Sequence, residues 1–390
     1  MRQTQISPPP ALTKGPARAQ ARMTVQTRCL PGAVRKGHPL PTKAHDSAAL
    51  RFPHATPPEG DQLIEVAPGI LWFRLPLPFA LNHVNLYLVR DDTGYVLIDT
   101  GLGNKRTQEI WSGLLAGPLK PFPISRIVVT HFHPDHVGAV GWLCKELGVP
   151  IHMSATEYLQ ATILHLSPGS MDAPHYRAFF AEHGLAADLV DNVVTKGHEY
   201  LRLVSGLPPT YSRLIAGDTL RIGSRTFEIL TGGGHSLEQV MLLDRAAGLF
   251  LASDQVLAHI TPNVSVHAVD PKGDPLGIYI RSLQSLVQTV PADVLVLPGH
   301  QLPFYGLHAR IEELIAHHHA RCAEMIAACR EKPCSTAELI GVVFKRPLDP
   351  HQIGFAFYEI LAHVNFMLRR GELEEAGRSD GVVRYRAARG

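Results

Sequence analysis

His131-Phe132-His133-Pro134-Asp135-His136 follows directly on the apolar run Ile127-Val128-Val129-Thr130. The run reads as a buried strand, so three imidazoles and a carboxylate arrive together at its end, on the rim of a sheet. Imidazole nitrogen and carboxylate oxygen are the ligands that Zn²⁺, Mn²⁺ and Fe²⁺ accept. His131 and His133 are two residues apart, and an extended backbone points both to the same side, within reach of one ion. Pro134 turns the chain, which lets Asp135 and His136 face a second ion close by.

Three further segments place ligand types at strand ends. Gly232-Gly233-Gly234-His235-Ser236 follows the strand Phe227–Leu230, and its glycines allow close backbone approach. Leu251-Ala252-Ser253-Asp254 closes a strand on a carboxylate suited to bridging two cations. Leu297-Pro298-Gly299-His300 closes another on a histidine. Any one of these is an ordinary loop residue taken alone; together they describe a site assembled from several strand ends.

With Ile98-Asp99-Thr100-Gly101 upstream, this order of motifs resembles the metallo-β-lactamase superfamily over roughly residues 63–305. The resemblance implies an α/β protein, an αββα sandwich. It implies two divalent metal ions, zinc foremost, with iron or manganese as alternatives. His131, His133 and His235 would hold the first ion, and Asp135, His136 and His300 the second. Asp254 would bridge them, and Asp99 would support the ligands from behind. The implied activity is hydrolysis of a small ester, thioester or lactone by a hydroxide bridging the ions, with Asp135 also accepting a proton or orienting the nucleophile. A bridging Asp254 is closer to glyoxalase II-type hydrolases, lactonases and nucleases than to true β-lactamases, although the basic glutathione-binding tail of glyoxalase II has no counterpart. Two alternatives keep the ligands and change the chemistry: a metal-dependent endoribonuclease, and a mononuclear iron enzyme of the persulfide dioxygenase type.

Charge separates the chain into unequal parts. Residues 1–45 carry eight Lys and Arg and no acid, leaving 29 basic against 35 acidic residues for the remainder. The folded part therefore has no basic excess of the kind that announces nucleic acid, and a small-molecule substrate is expected. Residues 1–60 form a basic leader without an apolar core, so it is not a secretory signal. It is expected to be a disordered tail or an overextended start with Met23 as the first residue, ahead of an organelle-targeting segment. No apolar run approaches the ~20 residues of a membrane span. Five scattered cysteines suggest no disulfide framework and fit a reducing, cytoplasmic setting.

Residues 61–305 are expected to form the catalytic domain, with the mostly helical stretch 155–200 walling a pocket. Residues 306–390 change character: a long helix, a capping-box signature at Ser335 and Glu338, a third helix ending at Gly371, and a hairpin around Asp380-Gly381. This C-terminal domain resembles a winged-helix module. Its 12 basic and 11 acidic residues favour a role in dimerisation or in roofing the pocket over gripping RNA, and leave a homodimer open. His317-His318-His319 reads as a solvated helix surface, and Cys322 and Cys329, seven apart, as core. Asn263 and Tyr305 are candidates to touch substrate, and His83 and Asn85 could approach the metals from the first hairpin.

Overall fold

A computed structural model describes residues 50–167, 174–196 and 199–389. The leader up to residue 49 and the expected break at Pro168-Gly169 lie outside the described residues. The described chain opens earlier than Leu63, where order is expected to begin. Arg51 pairs as an isolated bridge with Tyr305, its guanidinium 4.0 Å from the centre of that ring, and Phe52 stacks on His259. The bridge gives otherwise free backbone groups a partner, which is why this segment is held.

The first sheet has seven strands in chain order: β1 (Ile64–Ala67), β2 (Ile70–Pro76), β3 (His83–Asp91), β4 (Gly94–Ile98), β5 (Ile124–Val128), β6 (Ile151–Met153) and β7 (Ser212–Arg213). The second has five, in the order β12 (Leu295–Pro298), β11 (Leu249–Ser253), β10 (Gln239–Asp244), β9 (Arg225–Gly232) and β8 (Thr219–Ile222). Side-chain alternation assigns the layers. Tyr87 and Val89 of β3 meet Val240 and Leu242 of β10 in the core between the sheets. Val84, Leu86 and Leu88 turn outward under α1 (Lys105–Ala116) and α3 (Val140–Leu147). Met241 and Leu243 turn outward under α8 (Pro275–Thr289). Strands apolar on both faces are what a sheet buried on both sides requires, and the result is the expected sandwich of two sheets between helices.

The helix expected over Val137–Leu147 is divided into α2 (Pro134–Val137) and α3. Gly138 lies between them because its backbone is pressed into a neighbour: a Cβ there would stand 2.2 Å from the Pro134 carbonyl oxygen and 2.5 Å from the Gly103 nitrogen. The stretch after β6 is helical as expected, in α4 (Ala155–Leu166), α5 (Pro174–Glu182), α6 (Ala187–Lys196) and α7 (Glu199–Leu203). Helix α8 is an addition to the sequence reading. Its start signal, Asp274 capping the amide of Gly277 with Pro275 in the first turn, is one the sequence does carry.

Beyond the sandwich come α9 (Leu307–Glu331), α10 (Thr336–Val343) with both halves of its capping box made, α11 (Pro350–Arg369), and the hairpin β13 (Leu373–Ser379) and β14 (Val382–Ala387). These helices share one apolar core with the outer face of the second sheet. They also hold a loop from below. Arg310 donates to the carbonyls of Leu257 (2.7 Å) and Ile260 (3.0 Å), and Asn365 to those of Pro271 (3.0 Å) and Gly273 (2.9 Å). No helix among the described residues is long and apolar enough to cross a membrane.

His318 corrects the expectation of a solvated surface for the histidine triplet. It is fully buried, because Ile311, Leu314, His318, Cys322, Met325 and Cys329 form the inward stripe of α9. Its Nδ1 lies 3.1 Å from His363 Nε2, and His363 Nδ1 donates to the Glu359 carbonyl. Burial lowers His318 and pushes His363 down to about 4. Both lie below the unfolded value of 6.5, so the stability they contribute is complete above pH 6.5 and is lost as pH falls through the folded values. In chelator-stripped protein, denaturant titration at pH 7.5 and pH 5 should show wild type losing on the order of 1–2 kcal/mol more than the double variant His318→Leu, His363→Leu. Equal losses in the two proteins would contradict this account.

Candidate metal centre

The site forms where β5, β9, β11 and β12 end at one rim of the sandwich, because each strand is followed within a few residues by a polar ligand type. The structure brings all seven candidates together. His131, His133 and His235 form one group, Asp135, His136 and His300 another, and His131, His136 and Asp254 a third between them. Within each group the donor atoms lie within 4.8 Å of one another. Asp254 Oδ2 stands 3.1 Å from His300 Nε2, 3.4 Å from His136 Nε2 and 3.5 Å from His235 Nε2. His131 and His136 are fully buried, whereas Asp135 keeps 21% of its side chain exposed, and so faces the opening.

Hydrogen bonds behind the rings decide which nitrogen faces inward. His136 Nδ1 donates to Asp99 Oδ2 at 2.8 Å, His235 Nδ1 to the Asn263 carbonyl at 2.8 Å, and His300 Nδ1 to the His83 carbonyl at 2.7 Å. Thr130 gives its single hydroxyl proton to Asp99 and therefore accepts from His131 Nδ1 at 3.0 Å. All four rings turn Nε2 toward the centre. His133 adds its Nδ1, 3.0 Å from His131 Nε2 and 3.1 Å from His235 Nε2.

This crowd of ring nitrogens and carboxylate oxygens is the test of whether the residues suit metal ions. Three ring nitrogens at mutual contact cannot all be satisfied by the one proton that His133 Nδ1 could offer. Among the described residues Asp254 Oδ1 is buried with no hydrogen-bond partner, and His136 Nε2 has none beyond the 3.4 Å approach of Asp254 Oδ2, a costly arrangement unless a cation fills it. The donor set is the imidazole and carboxylate mixture that divalent transition ions accept, and it fits.

Electrostatics distinguish the two groups. Burial, with His136 and His133 alongside, holds His131 well below its ordinary value, and burial with His235 pushes His133 down to about 3. Burial would lower His300 as well, but Asp254 and Asp135 bring it up to about 9. His136 is held up against burial by Asp254, Asp135 and Asp99. Burial would raise Asp254, and His300 and His136 overcome it and hold the carboxyl low. His131 and His133 are thus held neutral, while the group around Asp254 is rich in charge.

Asp99 sits as expected behind the ligands, its carboxylate taking the amide of Thr130 as well as Thr130 Oγ1 and His136. Other candidates have different partners. Asn263 serves His235 through its carbonyl, while its amide nitrogen donates to Ser265 Oγ at 2.7 Å. Tyr305 packs at the edge of the intersheet core under Arg51. His83 and Asn85 hold the loop of His300. Asn85 Nδ2 donates to the Pro298 and Gln301 carbonyls, and His83 Nε2 accepts from the amide of Gln301. Tyr87 adds a bond to the Pro298 carbonyl, and Arg74 bonds both Asn85 and the Gln301 carbonyl. The alternation His83-x-Asn85-x-Tyr87 in an otherwise apolar strand is the sequence signal for this latch.

Glu157 escaped the sequence reading altogether. Its buried carboxylate accepts from the amide of Phe132 and from Ser236 Oγ; burial raises it, against the donors Glu238, Ser236 and Phe132. An acid in the first turn of a helix is commonplace, so nothing in the sequence marks it.

Comparison with known proteins agrees with this geometry. Residues 80–300 match the Metallo-beta-lactamase superfamily, and residues 322–388 match the Metallo-beta-lactamase-like, C-terminal domain. The chain belongs to the metallo-beta-lactamase superfamily. It is similar to a beta-lactamase domain protein from Burkholderia ambifaria of known crystal structure, with 39% identity and a TM-score of 0.80, over 87% of this chain and 98% of that one. It is 26% identical to the probable metallo-hydrolase YqjP of Bacillus subtilis, over 79% of this chain and 93% of that protein. It is 23% identical to the atrochrysone carboxyl ACP thioesterase of Aspergillus fumigatus, over 73% of this chain and 75% of that protein. Superfamily membership makes the chain a metallo-hydrolase and implies divalent ions at the His/Asp cluster.

A glycine tests the site without touching a ligand. A Cβ on Gly299 would stand 2.1 Å from Asp254 Oδ1 and 2.9 Å from His136 Cε1. Gly299→Ala should therefore bind less than the full complement of ions by elemental analysis, while its far-ultraviolet circular dichroism stays that of wild type. Full occupancy in the variant would place the ions elsewhere.

Proposed function

We propose that this chain is a dinuclear metal-dependent hydrolase of small thioesters, esters or lactones, of the glyoxalase II-like kind. The observation that carries the reading is Asp254 Oδ2, within 3.5 Å of nitrogens from both ligand groups. A carboxylate so placed suits two cations better than one. The thioester preference draws support from the similarity to a protein named as a thioesterase.

Two divalent ions, zinc in this reading, would supply Lewis acidity at the scissile carbonyl and a nucleophile at neutral pH. His131, His133 and His235 would hold one of them, and Asp135, His136 and His300 the other. Asp135 has a second task. Its Oδ2 lies 3.4 Å from His300 Nε2 and 3.8 Å from His136 Nε2, and its partial exposure lets it accept a hydrogen bond from a water at the opening; against burial, His136 and His300 hold its carboxyl low, which suits an orienting acceptor better than a proton carrier. Phe132 and Tyr200, whose hydroxyl bonds the Phe132 carbonyl at 2.9 Å, would form the apolar side against which a substrate lies.

The C-terminal segment serves as a winged-helix-like brace in this reading. Its hairpin arginines are engaged: Arg378 with Glu182, Arg384 with Glu338, and Arg386 with Glu374. Cations already paired are poor phosphate ligands, which weighs against a nucleic-acid partner.

The test is elemental analysis of the purified protein followed by turnover on a panel of thioesters, esters and lactones. Two ions per chain and hydrolysis of at least one class are expected, with Asp135→Asn lowering kcat by roughly a hundredfold or more. One iron per chain with oxygen uptake, or full turnover by Asp135→Asn on a substrate that wild type cleaves, would replace the proposal.

A further inference from the structure

Glu157 lies in the first turn of α4 and is 0% exposed. Ser236 Oγ donates to both carboxylate oxygens at 2.7 Å, the amide of Glu238 to Oε1 at 2.5 Å, and the amide of Phe132 to Oε2 at 2.9 Å. Phe132 separates His131 from His133, and Ser236 follows His235. One side chain therefore ties together the two loops that carry His131, His133 and His235.

Every partner of this carboxylate is a donor. No acceptor is left for a carboxyl proton, so the donor pattern suits the ionised form. Among the described residues no lysine or arginine pairs with it, and its charged-group neighbour is His235. A buried carboxylate held by neutral donors but lacking a countercharge is costly. The other half of the site has Asp135 of its own besides the shared Asp254; the His131, His133 and His235 group has no carboxylate of its own and only shares Asp254, whose Oδ2 lies 3.5 Å from His235 Nε2. A dication among three imidazoles and an anion directly behind those imidazoles would each offset the burial cost of the other.

We propose that Glu157 is a second countercharge, besides the shared Asp254, and a positioning residue for the ion held by His131, His133 and His235. It strengthens that position by its field and by fixing the spacing of the two loops. This rests on the two-ion reading above and adds a residue that touches neither ion nor substrate.

The experiment uses Zn²⁺ alone as the probe, in competition with a chromophoric chelator, on full-length wild type, Glu157→Gln and Glu157→Asp. Heat denaturation of each chelator-stripped protein runs alongside. Glu157→Gln keeps the shape and removes the charge. One of the two zinc ions should bind roughly ten- to a hundredfold more weakly in it, with the other near wild type; because the new amide faces a donor, the metal-free melting temperature falls as well. Glu157→Asp keeps the charge and shortens the reach, so its zinc affinity should fall between the other two. Unchanged zinc affinity in Glu157→Gln would overturn the inference. So would an aspartate variant weaker than the glutamine one, or a defect seen only in the metal-free melting temperature, since that would make the residue structural. Wild type that takes up no zinc would instead remove the two-ion reading itself.

Discussion

Four imidazole Nδ1 protons, each committed to an oxygen outside the cluster, are what the rest of this site depends on. Asp99, Thr130 and the carbonyls of Asn263 and His83 take those protons, and the opposite nitrogens are left facing the centre of the cluster. A polar cluster without this outer layer could rotate its rings and satisfy itself internally. Here it cannot, and Asp254 Oδ1, buried without a partner among the described residues, is the visible consequence. The outer layer converts seven polar side chains into a binding site for cations.

The surrounding fold maintains that condition against strain. Asp99, Ser253 and Gln301 adopt left-handed backbone angles without being glycine, a conformation that costs about 1–3 kcal/mol at each position. All three flank the centre: Asp99 behind His136, Ser253 before Asp254, and Gln301 after His300. Each is held by bonds that span distant chain segments. Thr130, two residues past β5, bonds Asp99 and Ser253, and the polar face of β3 holds Gln301. Arg310 and Asn365 of the C-terminal helices hold the long loop after Asp254. The C-terminal helices thus belong to the energetics of the site as well as to the core.

Much of the architecture could be read in advance, and the reasons are local. Strands apolar on both faces, glycine and proline at their ends, and the capping box at Ser335 and Glu338 are properties of short segments. The seven ligand types were legible because each follows a strand directly. Legibility failed where a residue's role depends on what approaches it from elsewhere. His318 looked like one of three surface histidines until the inward stripe of α9 buried it against His363. Glu157 looked like an ordinary first-turn acid until α4 carried it behind the histidine loops. His83 and Asn85, which could approach the metals, do come close to the site, but as the hold on the loop of His300, a role only the sheet packing shows.

The sequence by itself determined the order of elements, the strand ends at which ligands appear, and the chemical character of those ligands. These follow from periodicity and residue type, which act over a few positions. Tertiary structure alone decided which nitrogen of each ring faces inward and which buried acid stands behind them. Those outcomes are set by contacts between segments tens to hundreds of residues apart, such as Glu157 with Ser236 and His83 with His300. Only the packing of one sheet on the other brings such partners to hydrogen-bond distance.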